Sequence, residues 1–290
     1  MKTWIGSILI LIGTLAMSYG VAAPQQDERP AVAMEDARLA QPAWEIHEGE
    51  TFTGQVDIRT SRVAYIDCEF DGTGALYCVK IWPGARGTQF VDCTFTGADK
   101  KAIVGEWFAA RRCTFEDIGE DGVFVTQGGH VSLIACKFRR LGSAPGGHSD
   151  AVQIAMGASV VIRNCYFQVP HLGGVDGPLS NSCIFVEYDP QFGAAVEDIT
   201  IGPGNVFDGG LYSVWVRGNV RSERGSLVEY FPKRVLIYGN LFARHYFGPH
   251  NIDARADVLE VENDYSQAEK YRPSVMPPQE EIEKVYRRAG

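Results

Sequence analysis

No apolar run in this chain is long enough to cross a bilayer. The candidate, residues 5–17, is about a dozen residues long, whereas a spanning helix needs roughly 20. It follows a short basic start, Met1-Lys-Thr-Trp, and precedes the small residues Gly20, Ala22 and Ala23. That order reads as a secretory signal cleaved after Ala22, with an uncleaved anchor as the competing reading. Positive charge is also scarce. Lys and Arg number 27 against 36 Asp and Glu, a net charge of -9, or -10 once Lys2 leaves with the signal. An acidic surface of that size is a poor partner for nucleic acid or an anionic membrane, and leaves an acidic ligand only where the local site is basic. Zinc spacing is absent from the seven cysteines. No cysteine lies near the cleavage point, which argues against a lipoprotein.

What the chain has is a repeat. A short alternating apolar run ends in Cys or Asn, one variable residue, then an aromatic. It reads Cys68-Glu-Phe70, Cys93-Thr-Phe95, Cys113-Thr-Phe115, Cys136-Lys-Phe138 and Cys165-Tyr-Phe167, then Asn205-Val-Phe207, Asn240-Leu-Phe242 and Asn263-Asp-Tyr265. The steps are 25, 20, 23, 29, 40, 35 and 23 residues. Each period carries a second short run, such as Ala102-Ile-Val-Gly, Gly122-Val-Phe-Val, Ala151-Val-Gln-Ile and Ser213-Val-Trp-Val. These runs are too short for helices and rich in β-branched residues, so they read as strands. Periods in the twenties built of strands predict a solenoid of stacked coils. Equivalent residues then stack about 4.8 Å apart, giving an interior Phe ladder and a cysteine column. The five column cysteines would lie within disulfide range, but with parallel Cβ vectors, and are read as buried thiols rather than bridges. Cys78 and Cys183 sit in the other strand column, too far apart to pair.

This pattern resembles the right-handed parallel β-helix of the pectate-lyase-like superfamily, over about residues 46 to 265. The resemblance rests on the repeat form with its Asn/Cys ladder. The expected fold is all-β: a single-stranded right-handed parallel β-helix of about 7–8 coils with a short N-terminal capping helix and a C-terminal tail. The expected divisions are a signal at 1–22, a capping segment at 23–45, the β-helix at 46–265, and a linker with a short helix at 266–290. The long loops are placed at 142–147, 169–181 and 219–232.

Aligning the second run places Lys80, Val104, Phe124, Gln153, Phe185 and Trp215 outward, with Glu187 and Arg217 two residues on. Lys101, Asp121, Asp150, Tyr212 and His250 precede the strand. Such columns form a shallow groove. Asp121 and Asp150 fall on neighbouring coils and could hold Ca2+, although Asp also suits a strand-opening turn, which is the preferred reading. His148 beside Asp150 could exchange protons near neutral pH; a plain surface histidine is the alternative. Arg217 could clamp a carboxylate, and Tyr188 could donate a proton to a leaving oxygen. Trp215 and Phe185 could stack on sugars or lie under a loop. The basic pairs Lys100-Lys101, Arg111-Arg112 and Arg139-Arg140 default to solvated charge.

The resemblance implies action on polysaccharides, often acidic ones. The polygalacturonase and pectate lyase signatures are absent; Gly147-His148-Ser149 matches only the Gly-His of the former. The expectation is a secreted or periplasmic lyase of uronate-containing polysaccharide. Its catalytic set is His148, Asp150, Glu187, Arg217 and Tyr188, with Gln153, Tyr212, Trp215, Phe185, Lys101 and His250 binding substrate and Asp121 with Asp150 holding Ca2+. The rivals are a non-catalytic glycan-binding or assembly scaffold, and a hydrolase using paired carboxylates.

Overall fold

Three short strands make one turn of the chain. The first turn is Glu45–Glu48, Thr51–Thr53 and Val56–Ile58, and each strand pairs in parallel with its equivalent one turn later. Repetition builds a nine-stranded first sheet and eight-stranded second and third sheets, whose strands follow chain order. The chain is therefore a right-handed parallel β-helix of eight coils, and the strand Val258–Val261 opens a ninth. The computed structural model describes residues 43–126, 128–142, 149–169, 182–188, 195–223, 226–245 and 247–270. They lie within one compact unit, Pro42–Gly290, and contain no helix among the described residues. The signal, the expected capping and terminal helices, His148 and most of the 169–181 loop lie outside them.

The sequence pattern shows two runs per period; the structure has three. The Cys-x-Phe motif is a corner followed by a strand of its own. The residue before each ladder Cys or Asn turns the corner with positive φ, as in Asp67 (53°), Asp92 (58°), Arg112 (55°), Ala135 (55°) and Asn164 (55°). The left-handed region suits Asn, Asp and Gly and is strained for Ala and Arg. Pairing continues through the bend: Asp92 N–H donates to Arg111 O and Arg112 N–H to Ile134 O, both at 2.9 Å.

Cys and, in the later coils, Asn share one column because they do the same job there. Each reaches back to a strand carbonyl of the preceding coil. Cys93 Sγ meets Tyr65 O at 3.4 Å, Cys136 Sγ meets Ala110 O at 3.4 Å and Cys165 Sγ meets Leu133 O at 3.5 Å. Asn205 Nδ2 donates to Ile162 O at 2.9 Å and Asn263 Nδ2 to Ile237 O at 3.0 Å. All seven cysteines are free and buried. Burial pushes the Cys78 thiol up to about 11.

Two residues past the ladder position, the aromatics stack in register through the interior. Phe52, Phe70, Phe95, Phe115, Phe138, Phe167, Phe207, Phe242 and Tyr265 follow one another with centroids 4.6–5.1 Å apart. Inward Val and Ile of the first and third sheets complete one continuous core. The expected loop at 219–232 is instead an antiparallel hairpin, Asn219–Glu223 with Ser226–Tyr230.

Replacing Ala135 by Asn, the residue its column holds at Asn164, should stabilise the fold by about 1 kcal/mol, since left-handed backbone costs Ala about 1–2 kcal/mol. Phe138→Ala should cost about 3–5 kcal/mol by opening the ladder between Phe115 and Phe167. Urea unfolding of the two variants checks both.

Candidate functional site

The corner that opens the third sheet collects the chain's most unusual charges. In register along it come Lys101, Asp121, Asp150, Ser182, Tyr212 and Gly248. The alignment placed the first three and Tyr212 correctly. It missed Ser182, which reading the residue before each third-sheet run would have found. His250 is corrected: it lies two residues further on, paired with Val214. There its ring packs edge-on to Tyr265 at 5.9 Å, with Nδ1 3.3 Å from Glu260.

Asp121 and Asp150 are each 1% exposed. The Lys101 ammonium bonds Asp121 Oδ2, and Asp150 N–H donates to Asp121 Oδ1 at 2.9 Å. Ser182 Oγ donates to Asp150 Oδ1, and Asp150 Oδ2 has no hydrogen-bond partner among the described residues. Burial, then the neighbouring Asp121 charge, lifts the Asp150 pKa well above the usual carboxylate range. Burial also raises Asp121, with Lys101 opposing. Burial alone would lower Lys101, but the Asp121 charge and hydrogen bond reverse that and raise it.

This arrangement does not fit Ca2+. Lys101 occupies the cation position, and Asp121's other oxygen serves backbone. Among the described residues no group of three or more His, Cys, Asp or Glu could hold a metal. Nor does it fit contact with a polymer, because side chains this enclosed cannot touch one.

The outward aromatics are covered as well. Phe185 is 2% exposed and Trp215 7%, packed together at 5.2 Å with Tyr212 beside them. Their assignment to sugar stacking is corrected; outward indole and phenyl rings are buried because exposing them would cost hydrophobic free energy. Gln153 sits half-buried between Phe124 and Phe185 in register. Glu187 and Arg217 pair at 3.8 Å, and Asn219 Nδ2 donates to Glu187 at 3.1 Å. Tyr188 packs partly buried against Tyr230 at 5.1 Å. Glu187 lies five residues along the strand from Ser182, the register partner of Asp150, so roughly 16 Å separates the two positions. That is beyond the spacing of a hydrolytic carboxylate pair.

The outer face of the first sheet is different. Ala64, Gln89, Ala109, Ser132, Val161, Thr200, Leu236 and Leu259 form an uncharged outward column in unbroken register. A trough of about 400 Å³ lies across it, lined by Gln89, Trp107, Ala109, His130, Ser132, Ser159 and Val161 among others. Trp107 carries φ 57°, an outlier for so bulky a residue. It is held between Arg86, 4.6 Å from its ring, and His130 at 4.5 Å. Gly129 lies against its indole, where a Cβ would sit 2.5 Å from Trp107 Cδ1. Two residues along the strands, on the same face, run Val91, Arg111, Ile134 and Arg163 in register. Both arginines are exposed and neither has an ion-pair partner among the described residues. Their neighbours do: Arg112 binds Asp92, Arg140 binds Asp117, and Arg234 binds Asp198.

No family model matches the chain, and no curated protein matches it. Among solved structures, two trypsin-treated variants of QnrB1, titled a plasmid-mediated fluoroquinolone resistance protein, are similar at 11% and 13% identity. They cover 78% and 77% of this chain and 93% of theirs, with TM-scores of 0.23 and 0.22. An overlap that slight transfers no function. The expected groove residues are themselves buried, paired or far apart. The polysaccharide partner and the lyase, glycan-binding and hydrolase expectations are corrected accordingly.

The raised Asp150 pKa gives a testable slope. The folded chain holds that proton more tightly than the unfolded one, so its contribution is complete below the ordinary pKa of 3.8 and is lost as pH rises above it. Asp150→Asn should therefore flatten the fall in stability from pH 4 upward, whereas Lys101→Met, which strands Asp121, should cost about 3–5 kcal/mol near neutral pH. Urea midpoints across a pH series read both.

Proposed function

We propose that this chain is a non-catalytic β-helix that docks a protein partner on the outer face of its first sheet. One observation carries the reading: that face joins an uncharged, in-register column to a trough and two unpaired arginines, whereas the clustered charges elsewhere are taken up within the chain. A flat row of small side chains lets another backbone approach closely, and an aromatic with a nearby arginine is the composition of interface anchors. Strain at Trp107 agrees with a residue held for use rather than for stability. The buried carboxyl pair and the covered aromatic stripe are structural in this reading: they fasten the third sheet.

The Cys/Asn corner and aromatic ladder also support grouping the chain by fold with the pectate-lyase-like superfamily, without an activity attached. Residues 1–22 support export, so the partner would be met outside the cytoplasm.

Ser132 replaced by a photoreactive amino acid should give one discrete protein adduct in a culture of the producing cells. Untagged wild-type chain should compete it away, and chain carrying Val161→Arg, which blocks the trough, should not. No adduct at 132, or an adduct that Val161→Arg chain competes equally, would overturn the reading.

A further inference from the structure

The electrostatics of the same face identify the partner's chemistry, an inference that rests on the docking reading just given. We infer that the first-sheet face binds an acidic peptide segment in extended conformation, laid along the helix axis across successive strands.

Charge complementarity is the first support. The chain carries -9 overall, yet Arg111 and Arg163 stand exposed and unpaired on one column among the described residues. Glu197 and Asp198, acids of the next first-sheet strand, are held by Arg234 at 2.8 and 2.6 Å and do not neutralise them. The patch is therefore locally basic on an acidic body. A long polyanion would meet repulsion from the rest of the surface, whereas a short acidic segment meets only the patch. That contrast favours a peptide over a nucleic acid or a charged polysaccharide.

Spacing is the second support. Arg111 and Arg163 flank Ile134 in register, two strand steps apart, or roughly 9.6 Å. An extended chain of the polyproline II type has three residues per turn and a rise of about 3.1 Å, so its carboxylates three residues apart share one side about 9.3 Å apart and both arginines can each hold one. The trough beside them then receives an intervening apolar side chain against Trp107, Ala109 and Val161. The nine strands of the sheet span roughly 40 Å, room for about twelve extended residues.

The probe is a fluorescent peptide of about twelve residues with glutamate at every third position and proline or valine between, read by anisotropy against the full chain. Binding is expected for this peptide and not for its lysine counterpart, and it should weaken as ionic strength rises from about 0.01 to about 0.15 M. The double variant Arg111→Glu, Arg163→Glu should weaken it at least about tenfold with an unchanged urea midpoint. Trp107→Asn should also weaken it while leaving stability equal or higher, because Asn tolerates the left-handed backbone. Peptide binding that survives the double variant overturns the inference, as does equal binding of the lysine peptide. Tighter binding of an oligo-uronate or single-stranded DNA through the same arginines overturns it too. A photo-adduct at position 132 with no affinity for the acidic peptide would sink the partner's chemistry and leave the docking reading standing; loss of the adduct would sink the docking reading itself.

Discussion

Every feature of this molecule depends on coils stacking one residue over its equivalent. Parallel strand pairing alone would not secure that register at the bends, where the backbone leaves one sheet for the next. The corner residues do so by entering the left-handed region while keeping their N–H bonds to the next coil. The ladder Cys or Asn then ties back to the coil before, at 3.4–3.6 Å through sulfur or 2.9–3.0 Å through the amide. Asn makes the stronger bond, and Cys fills the same space with a weaker donor and less desolvation cost. The aromatic two residues on is thereby delivered to the same interior position each time, which is why nine rings stack without a break.

The same registration explains the buried Lys101–Asp121–Asp150–Ser182 row. Each residue sits at the opening of a third-sheet strand, and each satisfies the next across one strand spacing. Removing a charge from water is costly, and the row offsets this by alternating an ammonium, a carboxylate, a protonation-prone carboxyl and a hydroxyl. Polar groups arranged this way fasten a corner. They resemble a catalytic constellation in composition, and differ from one in that Asp121, Asp150 and Ser182 are buried.

Neighbouring residues with like charge meet opposite fates for a geometric reason. Arg112 occupies a corner and points to Asp92 one coil earlier; Arg111 ends the preceding strand and faces outward beside Val91 and Ile134. Alternation along a strand converts one step in sequence into opposite surroundings. The arginines of the corner columns are consumed by the architecture, whereas Arg111 and Arg163 on the outer face have no ion-pair partner among the described residues.

The repeat was legible because it is local. Cys-x-Phe at steps of 20 to 40 residues announces the ladder and the coil, and an alternating run tells inside from outside, since side chains follow a period of two. Even the Asp121–Asp150 adjacency followed from aligning one period on the next. Tertiary structure alone decided which outward positions are covered. Phe185 and Trp215 read as an outward pair either stacking on sugars or lying under cover, and the burial of both decides for cover. Tertiary structure also decided that Lys101 fills the seat expected for a cation, that the residues from Ser182 to Glu187 span a strand's length, and that Arg111 lacks the acid Arg112 has. Those outcomes depend on distances across coils, and a linear order of residues carries no such distances.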